Sequence, residues 1–144
     1  MSDHEPPSAP RVLAEAAAKN LTILLVEDDR MTRLMMARPL EMSGYRVLQS
    51  SCLSQAREAV ASEEVDAIVV DGLLPDGTGM DFISELRGRG ILKPVLFLSS
   101  FFRDMTSFNQ LRKDLKVAAV LYKPLTAAEL VQQVEELFAA PAAA

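Results

Sequence analysis

The chain has very few of the side chains on which redox and acid–base enzymes most often depend. Its 144 residues include a single cysteine, Cys52, and a single histidine, His4, which lies in a polar N-terminal stretch. One cysteine excludes an internal disulfide and is typical of a reducing compartment. One histidine leaves almost no material for a zinc site or for histidine-based catalysis. We therefore expect a cytoplasmic protein whose chemistry uses other groups.

Long hydrophobic runs and an excess of positive charge are also missing. No apolar run approaches the ~18 residues of a membrane-spanning helix, and the acidic, proline-rich start MSDHEPPSAP is unlike a secretory signal. The formal net charge of −5 argues against a nucleic-acid binder, because phosphate contacts need clustered lysine and arginine. The sequence thus predicts neither membrane insertion nor a nucleic-acid partner.

The middle of the chain alternates apolar, strand-like segments with helical ones. The strand-like segments are LTILLVEDD, YRVLQS, VDAIVVDG, PVLFLSS and VAAVLYKP. Four of them are apolar throughout, which is typical of a parallel sheet covered by helices on both faces. We predict an α/β domain over residues 20–139, with a flexible N-terminal tail at 1–19 and a C-terminal tail at 140–144.

Particular residues predict where the helices begin, bend and end. Gly44 is a stop signal for a helix over about 31–43, and Pro39 should kink that helix. Thr126 and Glu129 have the spacing of a capping box for the last helix. A fourth helix is predicted from apolar residues at helical spacing, namely Met105, Phe108, Leu111 and Leu115.

Polar and charged side chains gather where the strands end. The ends of the first, third, fourth and fifth strands carry Glu27, Asp28 and Asp29, then Asp71, then Ser99 and Ser100, then Lys123. Ligands of open α/β sheets bind beyond these carboxyl ends, so we expect the groups to converge. Two carboxylates about 4 Å apart repel by roughly 4 kcal/mol at an effective dielectric of about 20. Such a cluster therefore indicates a site for a hard cation, Mg²⁺ or Ca²⁺.

Asp71 is the candidate reacting group of this cluster. A carboxylate can attack a phosphoryl group to give an acyl phosphate, while a metal ion, Lys123 and Ser99 hold the phosphoryl oxygens. Two other acidic residues have simpler, structural interpretations. Asp29 could be only the N-cap of the helix that follows it, and Asp76 is expected to serve its own turn.

Four stretches, ILLVEDD, AIVVDGLLPDGTG, PVLFLSS and YKPL, occur in an order and spacing that resemble the receiver domain of two-component response regulators. The resemblance covers about residues 20–139. It implies a flavodoxin-like, doubly wound (βα)5 fold with strand order 2-1-3-4-5. It also implies that the chain accepts a phosphoryl group, with Mg²⁺, from a histidine kinase or a histidine phosphotransfer protein.

The resemblance also assigns roles at the metal side of the site. Asp71 matches the phosphoacceptor and a metal ligand. Asp28 matches a direct metal ligand, whereas Glu27 would act mostly through water. The backbone carbonyl of Leu73 would be the third protein ligand.

At the phosphoryl side, Ser99 matches the switch hydroxyl and Ser100 the small residue that follows it. Lys123 matches the lysine that contacts the phosphoryl group, and the resemblance implies a cis peptide bond between Lys123 and Pro124.

Two features depart from the family pattern. Val120 stands where a tyrosine or phenylalanine is usual, and we hypothesise that Tyr122, which has the same strand parity, covers part of that role. Otherwise the output uses another surface. Phe101 and Phe102 come next after Ser99 and Ser100, and they either pack against the domain or mark a partner surface.

Taken together, these features predict a stand-alone response regulator that signals to a downstream protein partner. It would be no enzyme beyond its own phosphoryl transfer and autodephosphorylation. An alternative is a receiver-fold module that binds partners independently of phosphorylation. A haloacid-dehalogenase-type phosphatase is disfavoured, because it needs a second aspartate where this chain has Leu73. Flavodoxin-like cofactor binding is disfavoured because VEDDR would repel phosphate.

Overall fold

The computed structural model describes residues 20–100 and 109–139. Five parallel strands form the main sheet: β1 (Thr22–Val26), β2 (Arg46–Ser50), β3 (Ala67–Asp71), β6 (Val95–Ser99) and β7 (Ala119–Tyr122). A short antiparallel pair, β4 (Leu73–Leu74) and β5 (Gly77–Thr78), follows β3. The α-helices are α1 (Arg30–Met42), α2 (Leu53–Ser62), α3 (Gly79–Gly88) and α4 (Ala127–Ala139).

The order of strands in the sheet is β2-β1-β3-β6-β7. Counting only these five strands, this is the predicted order 2-1-3-4-5, so the fold prediction is confirmed. All neighbours are parallel. The carboxyl ends of the strands therefore lie along one edge of the sheet, with Asp71 beside Leu98 and Ser99 beside Tyr122.

The hydrophobic core has two halves, one on each face of the sheet. Strands β1, β3 and β6 are buried along their whole length. Because alternate residues point to opposite faces, Leu24 packs with α2 and α3, whereas Leu25 packs with α1 and α4. Coverage on both faces explains why these strands are apolar throughout rather than alternating.

The predicted helix ends agree with the structure. The Asp29 carboxylate accepts the N–H of Thr32 at 2.9 Å, so Asp29 is the N-cap of α1. Gly44, with φ of 102°, ends α1, and the N–H of Tyr45 reaches back to the carbonyl of Leu40. Thr126 and Glu129 exchange the bonds of a capping box. Helix α1 continues through Pro39 to Met42.

The predicted fourth helix is only partly described, and apart from Asn109 its described part is π-helical rather than α-helical. Residues Gln110–Asp114 form a π-helical turn, in which the N–H of Leu115 reaches the carbonyl of Gln110 at 3.0 Å. Leu111 and Leu115 are buried, as their spacing suggested. The predicted positions Met105 and Phe108 lie outside the described residues.

The prediction for Asp76 missed its principal partners. Its carboxylate accepts the backbone N–H groups of Leu53 at 2.8 Å and Ser54 at 3.0 Å, so it caps α2. The residue at the N-cap position of that helix, Cys52, makes no capping bond with its side chain. The sequence could not reveal these bonds because they join the loop around Asp76 to the start of a helix 22 or more residues earlier.

No helix within the described part of the chain has both the length and the hydrophobicity that a membrane crossing requires.

Gly79, the first residue of α3, is predicted to be essential for the packing of the sheet edge. A Cβ at Gly79 would lie 2.3 Å from the backbone oxygen of Asp71. Gly79→Ala should therefore lower the free energy of unfolding by about 1–3 kcal/mol, as overpacking does. Gly88→Ala is the matched control, because a Cβ there meets nothing within 4 Å. We expect it to be neutral or to stabilise α3 by up to about 1 kcal/mol. Urea unfolding measures both, and equal midpoints for the two variants would contradict this explanation.

Candidate functional site

Three carboxylates meet at the carboxyl edge of the sheet. Glu27, Asp28 and Asp71 each offer an oxygen, and these oxygens all lie within 4.8 Å of one another. Glu27 and Asp71 are buried, whereas Asp28 is exposed. The topology causes this convergence: β1 and β3 are neighbours, with Val26 beside Val70, so the residues that follow these two positions are also adjacent.

Lys123 supplies the opposite charge, and it follows the edge strand β7 at the same carboxyl edge of the sheet. Its Nζ lies 2.6 Å from Oε1 of Glu27 and 3.3 Å from Oδ2 of Asp71. The residue directly follows β7, and its backbone N–H donates to the carbonyl of Ser99 at 2.9 Å. The peptide bond between Lys123 and Pro124 is cis, which confirms the expectation from the resemblance. One ammonium group thus contacts both buried carboxylates.

Burial and neighbouring charges together shift the pKa values of Glu27 and Lys123. Burial raises the pKa of Glu27, and the bonds from Lys123 and from the N–H of Asp29 oppose that shift only in part. Burial works to lower the pKa of Lys123, but its bond to Glu27 and the charge of Asp71 outweigh burial and raise that pKa. Lys123 is therefore cationic at neutral pH, next to a carboxyl group that is costly to ionise.

The acidic loop after β1 is fixed by an arginine that the sequence analysis did not single out. Nη1 of Arg33, in the first turns of α1, donates to the backbone carbonyl of Glu27 at 2.8 Å and approaches that of Asp28 at 3.4 Å. The only signal for this role in the sequence is a basic residue one helical turn after the acids. Asp71 is oriented by its own loop, since its Oδ1 accepts the N–H of Gly72 at 2.8 Å.

The remaining predicted positions are placed at or near the same edge. Ser99 is buried at the end of β6, and Ser100 after it is exposed. Leu73, at the start of β4, is 46% exposed. Val120 packs against the core half on the α2 and α3 side, and Tyr122 shares its strand parity. The output role suggested for Tyr122 stays a prediction, and Phe101 and Phe102 lie outside the described residues.

The donors in this cluster fit a magnesium ion. They are carboxylate oxygens without nitrogen or sulfur ligands, which is the set that hard divalent cations prefer. Mg²⁺ is commonly bound by one or two carboxylates together with water and phosphate oxygens. Asp28 is exposed and leaves room for these further ligands.

Comparison with known proteins identifies close similarity to one family. The family described as response regulator receiver domain matches residues 23–135. The response regulator MprA of Mycobacterium tuberculosis is 32% identical over 118 residues, which are 82% of this chain and 50% of that protein. MprA of Mycobacterium leprae is 32% identical over 117 residues, or 81% and 50%. The chain spans about half the length of these curated relatives.

Solved structures show the same fold. The non-phosphorylated HemR receiver domain from Leptospira biflexa is similar with a TM-score of 0.76 and 27% identity, covering 86% of this chain and 98% of that one. The chemotaxis response regulator CheY4 of Vibrio cholerae gives a TM-score of 0.72 with 23% identity, covering 81% and 98%. At the latter identity the likeness concerns the fold alone.

The ion pairs of Lys123 yield a prediction about stability and pH. Lys123→Met should lower the free energy of unfolding at neutral pH by about 1–3 kcal/mol, because buried Glu27 loses a charged partner. The loss should be largest at neutral pH and should shrink as the pH falls through the raised pKa of Glu27, since a neutral carboxyl group needs no counter-charge. Chemical denaturation across pH measures it. Lys93→Met, at an exposed position near the opposite edge, is the control, and an equal loss there would contradict the prediction.

Proposed function

The chain belongs to the response regulator receiver family, and on that premise we propose that it accepts a phosphoryl group on Asp71 and thereby changes a protein-binding surface. The observation that carries this proposal is the cluster of Glu27, Asp28 and Asp71, with Lys123 in contact with two of the three. The proposed donor is a histidine kinase or a histidine phosphotransfer protein, and the proposed location is the cytoplasm. That the receiver acts alone, without a nucleic-acid partner, is also part of the proposal.

In the proposed reaction, a carboxylate oxygen of Asp71 forms a bond to phosphorus. The phosphorus–nitrogen bond of the donor's phosphohistidine breaks, and the imidazole nitrogen leaves with the electron pair. Lys123 moves from the carboxylates toward the phosphoryl oxygens, and the hydroxyl of Ser99 donates to one of them. This arrangement stabilises the negative charge of a loose transition state without a histidine or cysteine of the chain itself.

Four groups would hold the magnesium ion: the carboxylates of Asp28 and Asp71, the backbone carbonyl of Leu73 and, through water, Glu27. When bound, the ion neutralises charge on the transferring phosphoryl oxygens. Catalysis by the chain is limited to its own phosphorylation and dephosphorylation in this proposal.

Output is proposed to run from Ser99 to strand β7. Ser99 lies beside Tyr122 in the parallel register. A shift of the Ser99 hydroxyl toward the phosphoryl group would therefore change the packing at the end of β7. Val120 and Tyr122 share one side of that edge strand. A downstream protein that contacts this side would sense the change.

An exposed apolar face on α1 supports docking of a protein donor next to the site. Met31 and Met35 are each 65% exposed and Leu34 is 41% exposed, and their helical spacing places these large apolar side chains together on one face of α1. A groove of about 470 Å³ continues from Met35 to Lys123 and Pro124. An α-helix of the donor laid along α1 would bring its phosphohistidine to the carboxylate cluster.

The phosphoacceptor role predicts a specific gain of mass. Incubation with Mg²⁺ and acetyl phosphate should add the mass of one phosphoryl group to the native chain and none to Asp71→Asn. Asp81→Asn, which alters an exposed aspartate in the first turn of α3, is the matched control and should be labelled like the native chain. Labelling of Asp71→Asn would contradict the assignment. Partner binding that is equal for the native chain and Asp71→Asn would favour the phosphorylation-independent module.

The docking face predicts that a substitution on it slows phosphorylation by a protein donor but not by a small-molecule donor. Met35→Asp should slow phosphorylation by a phosphorylated histidine phosphotransfer protein about tenfold, because a charge on the apolar face costs about 1.4 kcal/mol or more of docking energy. Its phosphorylation by acetyl phosphate should stay unchanged. Leu92→Asp, at another exposed apolar residue before β6, is the control. Equal slowing with both donors would contradict the docking role of α1.

A further inference from the structure

The loop after Asp71 is a short hairpin whose position matters for the proposed metal site. Strands β4 and β5 pair Leu73 with Thr78 and Leu74 with Gly77. The hairpin thus carries the backbone carbonyl of Leu73, which the proposed function assigns to the metal. Two residue pairs are too short a ladder to fix a loop alone, because isolated hairpins are marginally stable even when longer.

The tip of this hairpin is held by the N-terminus of helix α2. Both carboxylate oxygens of Asp76 accept N–H groups at the start of α2, from Leu53 at 2.8 Å and Ser54 at 3.0 Å. These bonds lower the pKa of Asp76, so the carboxylate is charged at neutral pH. A charged acceptor at a helix N-terminus also interacts favourably with the helix dipole.

Close packing accompanies these hydrogen bonds. A Cβ at Gly77 would lie 2.9 Å from Cδ1 of Leu53, so the hairpin backbone sits directly against the first residue of α2. At the other end of the hairpin, the N–H of Gly79 donates to the carbonyl of Gly72 at 2.9 Å. The segment between Asp71 and α3 is therefore held at both its tip and its base.

The helix that anchors the hairpin is itself fixed to its neighbour. Nε of Arg57 in α2 lies 3.1 and 3.0 Å from the two carboxylate oxygens of Glu85 in α3. Leu53 and Ala56 are buried in the core half on that face. Helix α2 is thus held by the core and by α3, and it can support the hairpin.

We propose that Asp76 is a positioning residue that holds the Leu73 carbonyl in place for the metal by tying the β4–β5 hairpin to the N-terminus of α2. The inference rests on the proposed function of the cluster around Asp71, and it adds a residue that touches neither metal nor phosphoryl group. Outer residues that orient metal ligands typically change metal affinity by about 10–100-fold when they are removed.

The test compares Mg²⁺ binding in the native chain and Asp76→Ala, followed by the amide NMR signals of Gly72 and Leu73 during titration with MgCl₂. We expect the dissociation constant to rise about tenfold in Asp76→Ala. Asp76→Asn should recover part of that loss, because its amide oxygen still accepts one N–H group. Glu64→Ala, in an exposed loop, should bind Mg²⁺ like the native chain.

A second variant separates positioning from helix stability. Cys52→Asp places a capping carboxylate at the N-cap position of α2, where the native side chain makes no such bond. Combined with Asp76→Ala, it should restore the melting temperature without restoring Mg²⁺ affinity, because the hairpin stays untied. Recovery of both properties would overturn the positioning role.

The outcomes also distinguish this inference from the proposed function. If the native chain binds Mg²⁺ and Asp76→Ala binds it equally well, the positioning role is wrong while the metal site stands. If the native chain binds no Mg²⁺ and gains no phosphoryl group, the proposed function itself fails, and the inference fails with it.

Discussion

Two buried carboxylates side by side are the constraint around which this molecule is arranged. Glu27 and Asp71 lie at the ends of adjacent strands, and one lysine contacts both. Such a pair repels in a low-dielectric surrounding, so it persists only with compensating positive charge. Lys123 supplies part of that charge. A bound cation would supply more, and an incoming phosphoryl group would compete for the same lysine. The electrostatic cost of the cluster and its proposed chemistry therefore both arise from the two adjacent carboxylates.

The rest of the fold keeps this costly cluster in place. Three central strands without exposed residues fix the carboxyl edge, and loops and helix ends then fix the backbone around each acid. Arg33 binds the carbonyl groups after β1, and Asp76 ties the hairpin after β3 to α2. Gly79 allows α3 to begin against the backbone of Asp71. These contacts act on backbone position, which is what the proposed carbonyl ligand and the proposed phosphoacceptor both require.

Local signals made much of the fold predictable. Apolar strands with acids or serine at their ends, the N-cap Asp29, the stop at Gly44 and the capping box at Thr126 depend on neighbours within a few residues. Such interactions are readable from one stretch of chain. The short β4–β5 pair and the π-helical turn at Gln110–Asp114 were not predicted. Two-residue strands carry no periodicity, and helical spacing does not separate an i→i+5 from an i→i+4 bonding pattern.

The sequence by itself determined the element order, the parallel sheet and the residues at its carboxyl edge, because hydrophobic patterning and strand-end chemistry are local properties. Only the tertiary structure decided which of those residues touch. That Lys123 contacts Glu27 and Asp71, that Arg33 binds the acidic loop, and that Asp76 caps a helix 23 residues before it all depend on distances across the sheet and between loops. A polar side chain has several possible partners along the chain, and packing in three dimensions selects among them.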